Sequence, residues 1–449
     1  MAETTTYGAQ ARAVLVLGLP LIGSHLAQMI LHVTDTVMLG WYGVEALASV
    51  VLGASAFFMV FILGSGFGIG VMGMIAAALG RGDDTRVRRD TRMALWLSAG
   101  FGALSLPVMW WSDPILRALG QKPELAALAQ DYLRIAGFGM IPALLVMVLK
   151  SYLSALERAQ VVLWVTLAGA AANVALNWAL IFGNWGAPEL GVRGAAIATT
   201  VTQVLGVMLL ALYAAWRPEL RHFRLFQRFW RPDWEAFGQV FRLGWPIGLT
   251  GLAESGLFIA ASMMMGWIGT VELAAHGIAM EVAAVTFMVH LGLSNAVTIR
   301  AGHAHGRGDA AHLRIVALTG IGLSLGFALL AITVMLTLPG PIIGLFLDER
   351  QTDVAPILAF GTALLAVAAL FQLFDAAQVM ALGLLRAVQD TRAPMWIAAV
   401  SYWLIGIPAS YGLAFGLGMG GIGLWLGLVV GLMVAALSLM LRFWRGRAG

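Results

Sequence analysis

Residues 18–43 read GLPLIGSHLAQMILHVTDTVMLGWYG, and residues 244–269 read GWPIGLTGLAESGLFIAASMMMGWIG. The two stretches align without a gap at an offset of 226 residues, which lays Gly18, Pro20, Gly40, Trp41 and Gly43 on Gly244, Pro246, Gly266, Trp267 and Gly269. The same offset still holds at GRGD, 80–83 against 306–309, and three more residues of offset bring GVRG, 191–194, onto GGIG, 420–423. The chain therefore repeats itself over half its length, and the fold must be built twice.

What is repeated is membrane-spanning helix. Of the 449 residues 60% are hydrophobic and only 11% charged, against roughly 25% charged in a soluble domain. Apolar runs long enough to cross about 30 Å of hydrocarbon as helices recur throughout, without the period-2 alternation of an outer-membrane barrel. They predict twelve spans, near 14–38, 46–74, 93–112, 131–152, 162–183, 194–215, 239–264, 274–298, 315–339, 355–384, 395–416 and 419–441. The first run is too long for a signal-peptide core and is expected to be retained. The 54 glycines suit spans that pack backbone to backbone through small residues. With no cysteine, disulfides, thiolate catalysis and cysteine metal sites are excluded.

On this map 22 of the 27 Lys and Arg residues fall at the N-terminus and in alternate connections: Arg12; Arg81 to Arg92; Lys150 and Arg158; Arg217 to Arg242; Arg300 to Arg314; Arg386 and Arg392; Arg442 to Arg447. The other five are Arg117, Lys122, Arg134, Arg193 and Arg350. Cytoplasmic loops carry such an excess, so both termini are expected to be cytoplasmic. Six spans per half is an even number, so the halves enter the membrane in the same direction, related by a pseudo-twofold along its normal. The expected organisation is an N-terminal six-helix lobe, 1–216, a linker, 217–238, and a C-terminal six-helix lobe, 239–449. The linker interleaves arginines with Phe223, Phe226, Phe229, Trp230 and Trp234, a lipid-surface pattern rather than a nucleic-acid site.

Polar residues that break the repeat need a reason other than packing. Asp35 falls on Ala261, Glu254 on Gln28, Asp375 on about Val146 and Asn173 on about Tyr402. A charge near the middle of a bilayer helix costs roughly 2.5–3.5 kcal/mol and normally faces a bundle interior or wet cavity. Asp375, in FQLFDAAQVM, 371–380, lies three residues from both Gln372 and Gln378, so this helix presents a polar stripe inward. Glu254 follows Thr250 by four residues. Such a carboxylate can exchange a proton for another cation as its surroundings change, which makes Glu254 and Asp375 a candidate site of a coupled exchanger. Asn173 and Asn177, at i and i+4, share a helix face. Glu281 falls near the outer end of the eighth span.

Other motifs dissolve on inspection. GRGD resembles the GxGD of membrane aspartyl proteases, but both copies sit in basic loops, where Gly80 and Gly306 are expected to stop a helix and Gly82 and Gly308 to turn the chain. GIGVMG, 68–73, follows no strand and reads as a packing ridge. HAH, 303–305, lacks further ligands within sequence reach. No Walker motif provides for ATP, and no nucleophile converges with a base, so an enzyme is not expected.

The paired half-repeats, DTVMLG, the Glu of PIGLTGLAES, the Asp of FQLFDAAQ and the following GLLRAVQDTRAPM together resemble the multidrug and toxic compound extrusion family, in its NorM-like branch, over nearly the whole chain. The resemblance implies an all-α polytopic fold of two six-helix lobes in a V, exporting amphipathic organic cations against Na+ or H+ by alternating access, without a cofactor. It implies coupling carboxylates at Glu254 and Asp375, able to hold Na+, with Gln378 beside them on the polar stripe; Glu281 departs from the branch, standing where an uncharged polar residue is expected, and would add charge to this C-lobe site. Asp35 matches the family's N-lobe aspartate, with Asn173, Asn177 and Thr199 grouped around it. The expected partners are small organic cations and membrane lipid, not nucleic acid, and the expected setting is a monomer in a bacterial inner membrane. The alternative within the superfamily is a flippase of lipid-linked precursors. A flippase for anionic head groups would line its cavity with arginines, whereas here the deeper charges are acids.

Overall fold

The computed structural model describes residues 6–347 and 354–446; Arg350 and Arg447 lie outside them. Twelve helices are long and apolar enough to cross a membrane: α1 Tyr7–Tyr42, α2 Val44–Arg81, α3 Asp84–Trp110, α4 Pro123–Ala155, α5 Ala159–Phe182, α6 Val192–Trp216, α7 Trp234–Ile268, α8 Thr270–Gly306, α9 Ala310–Thr337, α10 Val354–Ala387, α11 Arg392–Gly416 and α12 Gly420–Arg445. Each overlaps one of the spans expected from hydropathy. Most run further, because a helix continues into the polar boundary where hydropathy no longer marks it. The 38 residues of α2 make about 57 Å of helix, nearly twice the hydrocarbon thickness.

By contact the chain groups into one unit of Met1–Ile22 with Thr250–Gly449 and another of Gly23–Leu249. Both boundaries fall inside a helix, shortly after its internal proline, Pro20 in α1 and Pro246 in α7. Glycine explains the grouping. Within Gly23–Leu249 a Cβ on Gly66 of α2 would strike the Gly244 carbonyl and sit 2.5 Å from the Gly248 nitrogen of α7. Within the other unit a Cβ on Gly292 of α8 would lie 2.7 Å from the Ile22 nitrogen of α1. At the offset of 226, Gly292 is the counterpart of Gly66 and Ile22 that of Gly248, so each contact repeats the other. Small residues hold these backbones at a distance no side chain tolerates.

GRGD is a punctuation mark used twice. The helix runs through Gly80 to Arg81 in one copy and ends at Gly306 in the other, so Gly80 is not itself the stop expected of it. Gly82 and Gly308 take left-handed φ of 72° and 70°, which closes the helix end at little cost to glycine. The aspartate then caps the next helix: Asp83 accepts from the Arg86 amide and Asp309 from the His312 amide, each at 2.9 Å.

The linker after α6 forms a short 3-10 turn, Pro218–Phe223, and packs on the unit to which it belongs. Leu220, Phe223 and Leu225 are buried. Arg92 donates to the carbonyls of Arg224 and Leu225, both at 2.6 Å, and Trp96 donates to that of Phe229 at 3.0 Å. Phe226, Trp230 and Trp234 remain exposed. Arg89 binds Asp233 through two nitrogens and Glu235 at 2.9 Å, while Asp233 also accepts from the Ala236 amide at 3.1 Å, capping α7. Arg89 holds the Asp233 carboxyl below its ordinary value of 3.8. A lowered carboxyl stabilises the folded form while ionised, so this contact is complete at neutral pH and is lost only as pH falls below that range. Asp233→Asn is therefore expected to quicken tryptic cleavage at the linker arginines at neutral pH, and unchanged cleavage would contradict the docking.

Candidate functional site

In the unit containing Thr250–Gly449, α10 is the central helix, packed by α8, α9 and α12. Its polar stripe is buried: Gln372 and Gln378 are 0% exposed and Asp375 is 3% exposed. Gln378 is the hub. Its Nε2 donates to the phenol oxygen of Tyr402, which is wholly buried on α11, and its side chain hydrogen-bonds the half-buried Glu254 of α7. Glu254 lies within electrostatic reach of Asp375 on one side and of Arg386, further along α10, on the other. Glu254 and Gln378 are thus joined, within electrostatic reach of Asp375, and Tyr402 and Arg386, which the sequence did not single out, belong to the same cluster.

Tyr402 reaches α10 because α11 is not uniform. Residues Val400–Gly406 and Gly412–Gly416 are π-helical, on either side of Pro408. A proline lacks the N–H that an α-helix needs there, and a widened turn accommodates the loss. Within the first widened stretch, Tyr402 points to Gln378 and its neighbour Trp403 donates its indole N–H to the Ala253 carbonyl at 3.1 Å, one residue before Glu254. One segment of α11 therefore grips both acid-bearing helices. Behind it α12 comes close: a Cβ on Gly431 would lie 2.7 Å from Gly406 Cα.

The second layer of this unit is a train of rings. Trp425 of α12 packs edge-on against His276 of α8 and Phe371 of α10, and Phe371 packs edge-on against Phe258 of α7. Trp425 donates its indole N–H to His276 Nδ1 at 3.0 Å. That nitrogen must be the acceptor, since indole only donates, so Nε2 carries the hydrogen and donates to Ser262 Oγ at 2.9 Å. Glu281 stands apart. It is exposed on α8, and among the described residues no hydrogen bond or ion pair joins it to Glu254 or Asp375.

In the unit Gly23–Leu249 the central helix is α4, packed by α2, α3 and α6, and its polar site is uncharged apart from Asp35. Asn177 of α5 donates from its side-chain amide to both Asp35 Oδ1 and, at 3.0 Å, Asn173 Oδ1. Both asparagines are 0% exposed, and Asn173 Nδ2 and Asn177 Oδ1 have no hydrogen-bond partner among the described residues. The buried Tyr132 of α4 lies within electrostatic reach of Asp35. Thr199 is half-buried on α6, and among the described residues no hydrogen bond ties it to this cluster. Nor do the described residues gather three or more His, Cys, Asp or Glu side chains as a metal site.

The described residues thus form a duplicated set of twelve long apolar helices, with an acidic polar cluster in each unit. The MatE family model matches residues 20–179 and again 246–412, once in each half, and the chain belongs to that family, in its NorM-like branch. It is 48% identical over 434 residues to "Probable multidrug resistance protein NorM" of Rhizobium meliloti (strain 1021), covering 97% of this chain and 93% of that one. To the protein of the same description in Agrobacterium fabrum it is 43% identical over 448 residues, covering 99% and 96%. An outward-facing multidrug resistance MATE transporter of the MOP superfamily has the same fold, with TM-score 0.87 at 21% identity over 98% of this chain and 95% of that one.

Proposed function

We propose that this chain is a secondary antiporter that exports amphipathic, mainly cationic, organic compounds in exchange for Na+ or H+. The observation that carries the reading is the cluster of Glu254, Asp375, Gln378 and Tyr402, where two carboxylates on different helices share one buried polar site. A carboxylate shielded from water binds a cation more tightly than one open to it, because water competes for the charge. An ion shifts the balance between inward- and outward-open states only through its differential affinity for them, and hydration of this site supplies that difference. The relatives named for multidrug resistance support organic compounds as cargo, and acids rather than arginines in the spans favour cationic ones. The positive-inside distribution supports cytoplasmic termini, and the bacterial relatives support an inner membrane. The lobes 1–216 and 239–449, joined by 217–238, act as a monomer in which Asp35, Asn173, Asn177 and Thr199 form the N-lobe site.

In proteoliposomes loaded with a cationic dye, an imposed Na+ gradient and an imposed pH gradient are applied one at a time. At least one of them is expected to accelerate export above the leak of protein-free vesicles. Export indifferent to both gradients would refute the antiport.

A further inference from the structure

Gln372 is the most dissatisfied polar side chain near the coupling carboxylates. It is 0% exposed, and neither its Nε2 nor its Oε1 has a hydrogen-bond partner among the described residues. It stands three residues before Asp375 on α10, on the flank opposite Gln378, whose Oε1 is likewise buried and unpartnered. At about 100° per residue the three side chains occupy a continuous arc of about 120°, with the carboxylate between two amides.

A buried amide without partners is costly. An apolar residue of the same shape, such as leucine, would avoid that cost, and packing therefore gives no reason for a glutamine at this position. The cost is offset only if the amide gains a partner in another state of the transport cycle. Amide oxygen is a hard, neutral ligand: it suits Na+, which is bound through oxygen atoms, and is far too weak a base to hold a proton. Two such oxygens beside a carboxylate are useful to an alkali cation and useless to H+.

We propose that Gln372 is a specificity-determining residue of the C-terminal site, its amide oxygen ligating a Na+ held by Asp375. The inference rests on the reading of Glu254 and Asp375 as the coupling site, and it selects the ion that this site takes. Gln378 keeps its bonds to Tyr402 and Glu254 and adds its free oxygen to the same ion. Because the unpartnered amide is unfavourable whenever the ion is absent, Gln372 also makes the empty state less stable than the loaded one, which is the differential affinity that coupling requires.

The test compares Gln372→Leu with the original protein in proteoliposomes, driving dye export by Na+ gradient or by pH gradient separately, and measuring protection from thermal unfolding by NaCl against choline chloride. The original protein is expected to respond to Na+. In Gln372→Leu the Na+ concentration giving half-maximal export rises about ten- to a hundredfold, the range lost with one contact to a charged group, and NaCl protection weakens in parallel. Melting in choline chloride stays the same or rises, since two unpartnered atoms are removed. If the leucine variant does not insert, Gln372→Met serves in its place. Unchanged Na+ dependence in the variant, or an original protein driven by the pH gradient alone, would overturn the proposal while leaving antiport intact. Export by the original protein that ignores both gradients would instead overturn the underlying coupling site.

Discussion

Glu254→Gln and Asp375→Asn are each expected to lower gradient-driven dye export at least about tenfold, a change of about 1.4 kcal/mol or more in the coupling step. Both substitutions keep the volume and remove the charge that a cation can neutralise. A neutral amide also carries less desolvation cost than an ionised carboxylate at the same depth, so insertion and melting temperature should be little affected. The prediction separates coupling from folding: the variants are recovered in full and remain monodisperse in detergent, yet a cation gradient no longer accelerates export. Export at the original rate from equal amounts of either variant would remove both carboxylates from the mechanism.

Gln378→Leu is expected to produce the largest loss of stability at the site. Gln378 joins α10 to Tyr402 of α11 and to Glu254 of α7, so the substitution leaves a buried phenol and a half-buried carboxylate each short of a partner. Each such orphan costs about 1–3 kcal/mol, and the two together give about 2–6 kcal/mol. The decisive comparison is a double-mutant cycle with Tyr402→Phe. Removing both ends of a buried hydrogen bond is much less damaging than removing one, so Gln378→Leu/Tyr402→Phe should recover part of the stability lost in Gln378→Leu. Additive losses in the double variant would show that the phenol and the amide do not depend on each other.

Much of this arrangement is legible in the chain, and the limits have physical causes. Gapless repeats with Pro20 against Pro246 and GW against GW make the duplication plain, and hydropathy locates twelve spans because the bilayer imposes a length. Symmetry breaking then points to Glu254, Asp375 and Asp35, since packing alone would have matched them. Tyr402 is in view as the repeat counterpart of Asn173, yet its role is hidden. It depends on a π-helical turn before Pro408, which changes the direction of the side chains and has no signature in period 3.6. Arg386 reads as an ordinary basic residue at a helix end, and only the fold brings it within reach of Glu254. The grouping of Met1–Ile22 with Thr250–Gly449 is equally invisible in hydropathy, because it rests on backbone contacts at Gly66 and Gly292 that glycine allows but does not announce. The linker has two faces of which the sequence shows one: Phe226, Trp230 and Trp234 are exposed, while Phe223 is buried against Tyr152 and the backbone accepts hydrogen bonds from α3, contacts that composition does not announce.

The most direct test of cation-coupled exchange reverses it. In proteoliposomes with no cation gradient, an imposed gradient of an organic cation alone should drive Na+ or H+ in the opposite direction, recorded as tracer uptake or as a change of internal pH. The account predicts this countermovement in the original protein and its loss in Glu254→Gln/Asp375→Asn. Movement of the organic cation down its gradient with no opposing flow of either ion would contradict it.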